Sequence, residues 1–419
     1  MLTERDGIPG DTKELEVTID DRSISLPLCS IVIFQDIQSP FWSCEITMKD
    51  FNNHILVLPI RPGAAIKIII KSEQQSETDG KKIFNFTQSG IIQRVMKNHQ
   101  HIEYTISGIS NTMIKNINTR ISEGYKNKPT NIVAKNFIEK YIGGTVETTP
   151  ESEHVVSGAV GMLSPFTLAM QMAKASYYDK TADYLFFQHD ENIWWLKRME
   201  DMYNDGPILT VRVRPAQVRD DAGNLSEDYG TKLTSYFFMH YDVVSNMLGG
   251  LYASKTVQFD FVTKEWKRDD GKFKYGDDCQ PDKEKKSWEN ESLETYENNI
   301  FFYPRDDQVW KGKHIHDYAN KWGGSRKSSL QKLRQDRLYL QLPGGIAAWE
   351  YLGKRVDVEI PSEQDWCDDL IYDTQLSGQY LVTAVAHDVG KGSHGTKVEL
   401  IKKRHTIRMQ KPCEGYSGE

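Results

Sequence analysis

The residues of this chain that could carry out chemistry are few and far apart. Two histidine pairs, His99-x-His101 and His314-x-His316, would each place two imidazoles on one face of a strand. A zinc site needs three or four ligands, so two histidines alone are a weak indication of a metal centre. We interpret both pairs as surface residues, with a metal site as the alternative.

Three further features carry polar or aromatic groups. His387 lies in an apolar strand pattern and is interpreted as a partnered residue of a β-barrel rather than as a base. Trp194-Trp195 could form a platform for a sugar or a protein, but a hairpin covered on both faces explains the pair equally well. Arg212 and Arg214 put two positive charges on one strand face, which fits a solvated surface or, alternatively, a lumen or interface.

Sequence signatures of catalysis are missing. The chain has no H-E-x-x-H, no G-x-S-x-G, no Walker loop and no dinucleotide fingerprint. Paired carboxylates suited to glycoside hydrolysis stay open, because their separation is set in three dimensions. We therefore assign no catalytic, cofactor-binding or metal-binding residue and predict that the protein is not an enzyme.

The composition is that of an acidic chain long enough to bury several cores. It has 419 residues, of which 38% are hydrophobic and 11% aromatic, and a formal net charge of −7. Such a length suggests roughly two to four domains, and the aromatic content argues against disorder. A net acidic chain has no general attraction for phosphate backbones, which disfavours a nucleic-acid binder held by bulk charge.

The cysteines are odd in number and have no C-x-x-C spacing. They are Cys29, Cys44, Cys279, Cys367 and Cys413. We interpret them as reduced thiols in a protein made in a cytoplasm. The polar N-terminus predicts no secretory signal, and no run approaches the ~18 apolar residues of a membrane helix.

Hydrophobic periodicity separates an opening β region from a mixed region. Apolar and polar residues alternate in Ile66–Ile70 and Ile102–Ile106, which predicts short strands of a small barrel or sandwich. Helices are then predicted over Asn131–Ile142, with Thr130 as N-cap, and after Ser164-Pro165. With a hairpin over 184–196, this pattern predicts a small α+β domain.

Strand patterns return in the second half of the chain. They occur at Ile208–Arg214, at Leu233–Tyr241 and in four blocks between Leu338 and Ile401. The strongly charged stretch Lys264–Glu297 is interpreted as a solvated insertion or extended arm. The tail Gln410–Glu419 is expected to be frayed.

Three strand blocks near the C-terminus repeat, in the same order, the pattern of the first domain. Ile66 and Val356 lie 290 positions apart, as do Val95 and Val385, and the strands that follow lie 296 positions apart. Any two antiparallel meanders share some of this pattern, but the common order and spacing favour two similar barrels. Three copies of such a chain in a ring would present six similar barrels.

Several short motifs follow one another along about 300 residues. They are Ser39-Pro40-Phe41-Trp42, Met48-Lys49-Asp50, Ile106-Ser107-Gly108-Ile109-Ser110, Ile121-Ser122-x-x-Tyr125-Lys126, Ser164-Pro165-Phe166, Leu185-Phe186-Phe187, Trp194-Trp195-Leu196, Gly249–Lys255 with Asp260, Leu340-x-Leu342-Pro343-Gly344, Gly353-x-x-Val356 and Ser377-Gly378-x-Tyr380-Leu381-Val382-Thr383. In this order they resemble the baseplate hub proteins of contractile-tail bacteriophages, relatives of the hub part of type VI secretion spikes. The charged stretch 264–297 has no match in that pattern.

The resemblance implies a mainly β fold with an α+β middle domain, in which one chain holds two similar tube-type antiparallel β-barrels plus inserted domains. The domains it implies are a first barrel over 1–112, the middle domain over 113–205, a second, discontinuous barrel over 206–262 and 325–408, a charged insertion or arm over 263–324, and a flexible tail over 409–419.

The resemblance also implies a structural virion protein of the tail baseplate, assembled in the host cytoplasm as a homotrimer. Its pseudo-hexameric ring would join the six-fold tail tube or tube initiator to a three-fold central spike. It would also contact baseplate wedge proteins and let DNA pass during genome ejection. No cofactor and no membrane-spanning segment are expected. The alternatives are a tail-associated cell-wall hydrolase and a carbohydrate-binding tail protein.

Overall fold

The computed structural model describes fourteen segments of the chain. They are 12–24, 28–51, 60–72, 81–96, 101–212, 235–239, 243–274, 299–305, 319–334, 337–344, 346–360, 373, 376–390 and 392–403. Strands predominate among these residues, as the periodicity of the sequence predicts. The predictions for His99, for His314 and His316, for Arg214 and for the tail concern residues outside these segments.

Seven strands make up the first part of the chain. They are β1 (Thr12–Ile19), β2 (Arg22–Ser23), β3 (Leu28–Asp36), β4 (Ser43–Asp50), β5 (Ala65–Ser72), β6 (Lys81–Met96) and β7 (His101–Ser110). Every second residue of β4 is buried, from Cys44 to Asp50, so the alternation in the sequence corresponds to one face on a core.

A mixed region follows. It contains α1 (Asn111–Asn118), β8 (Gly124–Pro129), α2 (Thr130–Tyr141), β9 (Thr145–Thr149), β10 (Val155–Ala159), α3 (Pro165–Ala175), β11 (Tyr184–Asp190), β12 (Ile193–Arg198) and α4 (Met199–Asn204). The two predicted helices and the hairpin are confirmed, and Ser164 and Pro165 begin α3 as predicted. The N-cap of α2 is Pro129 rather than Thr130, whose hydroxyl instead bonds that of Ser176 at 2.7 Å.

The second half adds strands and two described α-helices. They are β13 (Leu209–Arg212), β14 (Ser235–Met239), α5 (Val243–Gly249), β15 (Ala253–Asp260), β16 (Glu265–Lys274), β17 (Asn299–Arg305), α6 (Ala319–Lys332), β18 (Arg337–Pro343), a 3-10 helix (Ile346–Glu350), β19 (Arg355–Glu359), β20 (Gly378–Gly390) and β21 (Ser393–Lys402). Part of the range 263–324, predicted as a charged arm, is thus strand, in a three-stranded sheet of order β16-β15-β17.

A 13-stranded sheet contains the same strand order twice. One half-sheet, which we call the N half-sheet, has the order β3-β4-β7-β6-β5, and the other, the C half-sheet, has the order β14-β18-β21-β20-β19. All neighbours within these two sets are antiparallel. The outer strands differ, since β1 pairs antiparallel with β5 whereas β13 pairs parallel with β19.

The strand pairing also gives the true register of this repeat. Ile66 faces Phe86 in one half-sheet and Val356 faces Tyr380 in the other, so β5 and β19 are 290 positions apart but β6 and β20 are 294 apart. A bulge in each long strand, after Gln88 in β6 and after Val382 in β20, agrees with 294. The duplication is therefore present, and the match of Val95 to Val385 drawn from the sequence is wrong by four residues.

Each half-sheet has its own hydrophobic core. Ile33, Ile46 and Phe86 lie in the core of the N half-sheet, and Val356 and Leu400 lie in that of the C half-sheet. A third core joins α2 and α3 to the sheet of β11, β12 and β9. The structure thus confirms a mainly β chain with a large antiparallel sheet, while the tube-type barrels and the domain boundaries remain predictions.

Candidate functional site: the sheet junction and the free sheet edges

The two half-sheets are joined by one pair of strands. The first residues of β20 pair with β19, and its later residues pair antiparallel with β3, from Ala384 opposite Asp36 to Val389 opposite Ile31. Within the described part of the 13-stranded sheet, this pairing alone connects the N half-sheet to the C half-sheet. We call it the junction.

Two buried histidines lie at the junction. His387 Nε2 is 3.4 Å from Gln35 Oε1 on β3, and His387 Nδ1 is 3.3 Å from Nε2 of His394 on β21. The amide oxygen of Gln35 can only accept, so His387 donates from Nε2 and accepts from His394. The imidazole of His387 also stacks on Trp349, with ring centroids 3.5 Å apart. His387 is thus a partnered strand residue, as predicted, while its place in a β-barrel stays a prediction.

Burial keeps this histidine pair neutral. The pKa of His387 is well below its ordinary value, first because burial removes water from the cation and second because His394 is close. Burial also lowers the pKa of His394 to about 4. Because an unpaired buried cation is costly, protonation of these histidines at low pH should destabilise the junction.

We expect the free energy of unfolding to decrease as the pH falls from about 6.5 towards 4. Both pKa values are lower in the folded chain, so the unfolded chain binds more protons in this window. The contribution of the two histidines to the free energy of unfolding is complete at pH values above their pKa in the unfolded chain. It is lost as the pH falls towards their pKa in the folded chain. For His394 the displacement from 6.5 to about 4 corresponds to roughly 3 kcal/mol. Urea unfolding at a series of pH values measures the slope.

The control for this experiment is the variant His394→Gln. His189 on β11 also has a pKa lowered to about 4, chiefly by burial, so the wild-type slope contains its contribution. The variant keeps His189 and should show a shallower slope than the wild type. Equal slopes in the two proteins would contradict the assignment of acid sensitivity to the junction.

The tryptophan pair singled out in the sequence does not form an open site. Trp194 is fully buried and Trp195 is 3% exposed, so the hairpin is covered on both faces and the pair offers no platform. His189 stacks on Trp195 at 3.7 Å, and Lys197 Nζ lies 3.5 Å from the same ring. Among the described residues, no group of three or more His, Cys, Asp or Glu side chains could hold a metal ion.

A small cavity lies between the N half-sheet and the β11–β12 hairpin. Its volume is about 210 Å³, and its lining includes Trp42, Phe86, Gln188 and Glu191. Gln188 closes one side, since its side-chain oxygen accepts from the Trp42 backbone N–H at 3.1 Å and its carbonyl accepts from the indole at 3.0 Å. These bonds attach the mixed region to the N half-sheet.

Two strand segments have an open side in the described structure. Beyond Gln88, β6 pairs with β7 on one side, and no described strand pairs with the other. β14 pairs with β18 on one side, and again no described strand takes the other. Both segments expose large apolar side chains: Ile92 is 61% exposed and Phe237 60%.

Neither of these edges is predicted above from the sequence. The signal was there, because Ile91-Ile92 and Tyr236-Phe237-Phe238 interrupt the alternation of apolar and polar residues. Consecutive apolar residues in a strand place hydrophobic groups on both faces, as in strands that are covered on both sides. Unpaired strand edges that carry such residues are templates for further strand pairing.

Comparison with known proteins shows similarity at the level of structure. A tail protein from Neisseria meningitidis MC58 matches with a TM-score of 0.51 and 11% identity, over 93% of this chain and 96% of that one. The 43 kDa tail protein of prophage MuSo2 from Shewanella oneidensis matches with a TM-score of 0.54 and 9% identity, over 93% and 98%.

A third similar structure is the E. coli c3393 protein, a component of the type VI secretion system with structural similarity to T4 bacteriophage tail proteins gp27 and gp5. It matches with a TM-score of 0.44 and 8% identity, over 94% of this chain and 79% of that one. No family model matches the sequence, and no curated protein matches it. The two tail proteins with TM-scores above 0.5 show that the chain shares its fold with tail proteins, and the resemblance drawn from its motifs is confirmed as a likeness of fold.

Proposed function

We propose that this chain is a structural tail protein that forms the central hub of a baseplate. The observation that supports this is the repeated strand order, in which two half-sheets of the same topology are fused through the junction. Three chains in a closed ring would place six similar half-sheets around one axis. Such a ring is six-fold in its sheets and three-fold in its mixed regions, so it can adapt a six-fold tail tube to a three-fold spike.

The charge of the chain suits a ring through which DNA passes. A net charge of −7 gives no general attraction for a polyanion, so a central channel would not retain DNA during ejection. The proposed partners are therefore two further copies, a six-fold tube protein, a three-fold spike protein and baseplate wedge proteins. In this proposal the location is the virion tail, after assembly in the host cytoplasm, and the role involves no catalysis. Among the described helices, none has the length and hydropathy needed to cross a membrane.

The oligomeric state tests this function. Native mass spectrometry and light scattering on the full chain, over a wide concentration range, should give a species of three times 48.2 kDa. Electron microscopy should show it end-on as a ring with six lobes. A chain that remains monomeric at every concentration, or a dimer, would contradict the proposed ring.

A further inference from the structure

Helix α6 is basic, whereas the chain as a whole is acidic. The helix has four Lys or Arg residues and no Asp or Glu, although the net charge of the chain is −7. Two of its cations, Arg326 and Lys327, lie close to Lys174 at the end of α3, and we call these three residues the basic cluster. We propose that the basic cluster binds an acidic segment of a partner protein through the carboxylates of Asp or Glu side chains. The basic cluster lies outside the two half-sheets, so this binding does not depend on the proposed ring.

Two aromatic rings of β17 position the two lysines. Phe301 and Tyr303 are alternate residues of the strand, so their side chains lie on one face, the face that α6 covers. The Nζ atom of Lys327 lies 5.4 Å from the centre of the Phe301 ring, and that of Lys174 lies 5.9 Å from the centre of the Tyr303 ring. Cation–π contacts of this kind attract the ammonium groups to the rings. The two lysines are thus held over neighbouring rings of one strand.

The basic cluster has no counter-ion among the residues that the structure describes. None of its three cations lies within 4 Å of a described carboxylate. Asp183 attracts Arg326 from further away. The carboxylate of Asp183 is already engaged, since Arg198 lies 3.4 Å away and the backbone N–H of Glu200 donates to it at 2.8 Å. The positive charge of the two lysines is therefore not compensated by the described part of the fold.

Like charges this close oppose the fold unless an anion joins them. The pKa of Lys174 lies below its ordinary value, first because of burial and then because Lys327 and Arg326 repel a further positive charge. The carbonyl end of a helix attracts a cation, which accounts for Lys174 in the last turn of α3. It does not account for Lys327, which lies in the middle of α6. A bound anion would relieve the repulsion at both positions.

The geometry favours the carboxylates of a protein segment over a nucleic acid. Two lysines over neighbouring rings match two carboxylates about 6–7 Å apart, as in glutamates one helical turn apart or two residues apart in an extended segment. Duplex DNA is held instead by many phosphate contacts along its backbone. Three cations in a chain of net charge −7 do not provide such a track. The net negative charge of the rest of the chain repels an acidic partner, so its binding is confined to the basic cluster.

Binding of an acidic peptide tests this proposal. The probe is a short fluorescein-labelled peptide of alternating Glu and Ala, and its control is the same peptide with Gln in place of Glu. Fluorescence anisotropy with the full chain at low ionic strength should show binding of the Glu peptide and none of the Gln peptide. The affinity should fall as salt is added, because exposed charges are screened beyond about 10 Å at roughly 0.1 M.

Replacing both exposed lysines removes positive charge without altering a core. The variant Lys174→Gln with Lys327→Gln should bind the Glu peptide about tenfold more weakly or worse. The matched control is Lys126→Gln with Lys128→Gln, which removes two exposed lysines two residues apart on β8 and should leave the affinity nearly unchanged. Lys174→Arg with Lys327→Arg keeps the positive charge and should bind as the wild type does.

The free energy of unfolding distinguishes a binding role from a structural one. Because Lys174 and Lys327 repel each other, their replacement by Gln should leave the urea unfolding curve unchanged or shift it to higher urea concentration. A clear loss of stability in this variant would overturn the proposal, since the two lysines would then serve the fold.

The binding measurements also define the results that contradict the proposal. Absence of binding of the Glu peptide would overturn it. Equal weakening in the variants of the basic cluster and of β8 would assign the binding to net charge and overturn it. Binding of a DNA duplex at the basic cluster, with no binding of the Glu peptide, would assign the site to phosphates instead. The mass of the trimer is measured separately, so failure of this proposal and failure of the proposed ring are distinguishable.

Discussion

Replacing Val356 by Asp is expected to unfold the C half-sheet and to abolish assembly. Val356 is 2% exposed and lies between Leu209 on β13 and Tyr380 on β20. A carboxylate there would be buried with no cation to pair with it, a situation that costs about 3–5 kcal/mol. A typical domain is stable by only about 5–15 kcal/mol, so most of the stability would be lost.

Urea unfolding followed by circular dichroism, together with the mass of the assembled species, measures this loss. Val358, 1% exposed and two residues along the same strand face, should respond in the same way when replaced by Asp. Val244→Asp is the matched control, because Val244 is 64% exposed on α5 and should tolerate the same substitution. Normal trimer yield from Val356→Asp would contradict the assignment of this side chain to the core.

The sequence predicts the strands of this fold well, because alternation is a local property. The blocks around Ile66 and Val356 are strands at the same place in two half-sheets, as the repeat predicts. The offset between β6 and β20 was wrong by four residues, and the reason is physical. Side chains on a strand repeat every two residues, so a shift by an even number keeps every apolar residue on its face. The pattern alone cannot detect such a shift.

The alternation of apolar and polar residues does not predict contacts between distant parts of the chain. Gln35 and His387 are 352 residues apart in sequence and come into contact at the junction. The sequence around each residue gives no indication of its partner. The charge of 264–297 predicted a solvated insertion or extended arm, and it gave no indication that Glu265–Lys274 forms a strand of a three-stranded sheet. Composition predicts how strongly a segment is exposed to solvent. Whether the segment forms a strand depends also on the strand with which it pairs.

Trp349 shows most directly how the two half-sheets depend on each other. It comes from the 3-10 helix between β18 and β19 of the C half-sheet, yet its indole, 2% exposed, lies in the core of the N half-sheet. The ring centroids of Trp349 and Phe84 are 4.6 Å apart, and on another side the indole stacks on His387. The indole therefore connects the junction to the N half-sheet core.

We expect Trp349→Ala to destabilise the fold by about 3–5 kcal/mol, because it leaves a large cavity between the two half-sheets. Urea unfolding should show this loss, and it should also separate into two transitions as the half-sheets lose their common contact. The opened cavity would admit water to His387 and raise its lowered pKa, so the pH dependence of stability should become shallower.

Two further variants distinguish this role from a general effect of losing an indole. Trp349→Phe keeps an aromatic ring against His387 and should retain most of the stability and a single transition. Trp266→Ala removes an indole that is 54% exposed on β16 and should change the free energy of unfolding by less than about 1 kcal/mol. If Trp349→Ala lost no more stability than Trp266→Ala and unfolded in one step, the assignment of Trp349 as a contact that holds the two half-sheets together would be wrong.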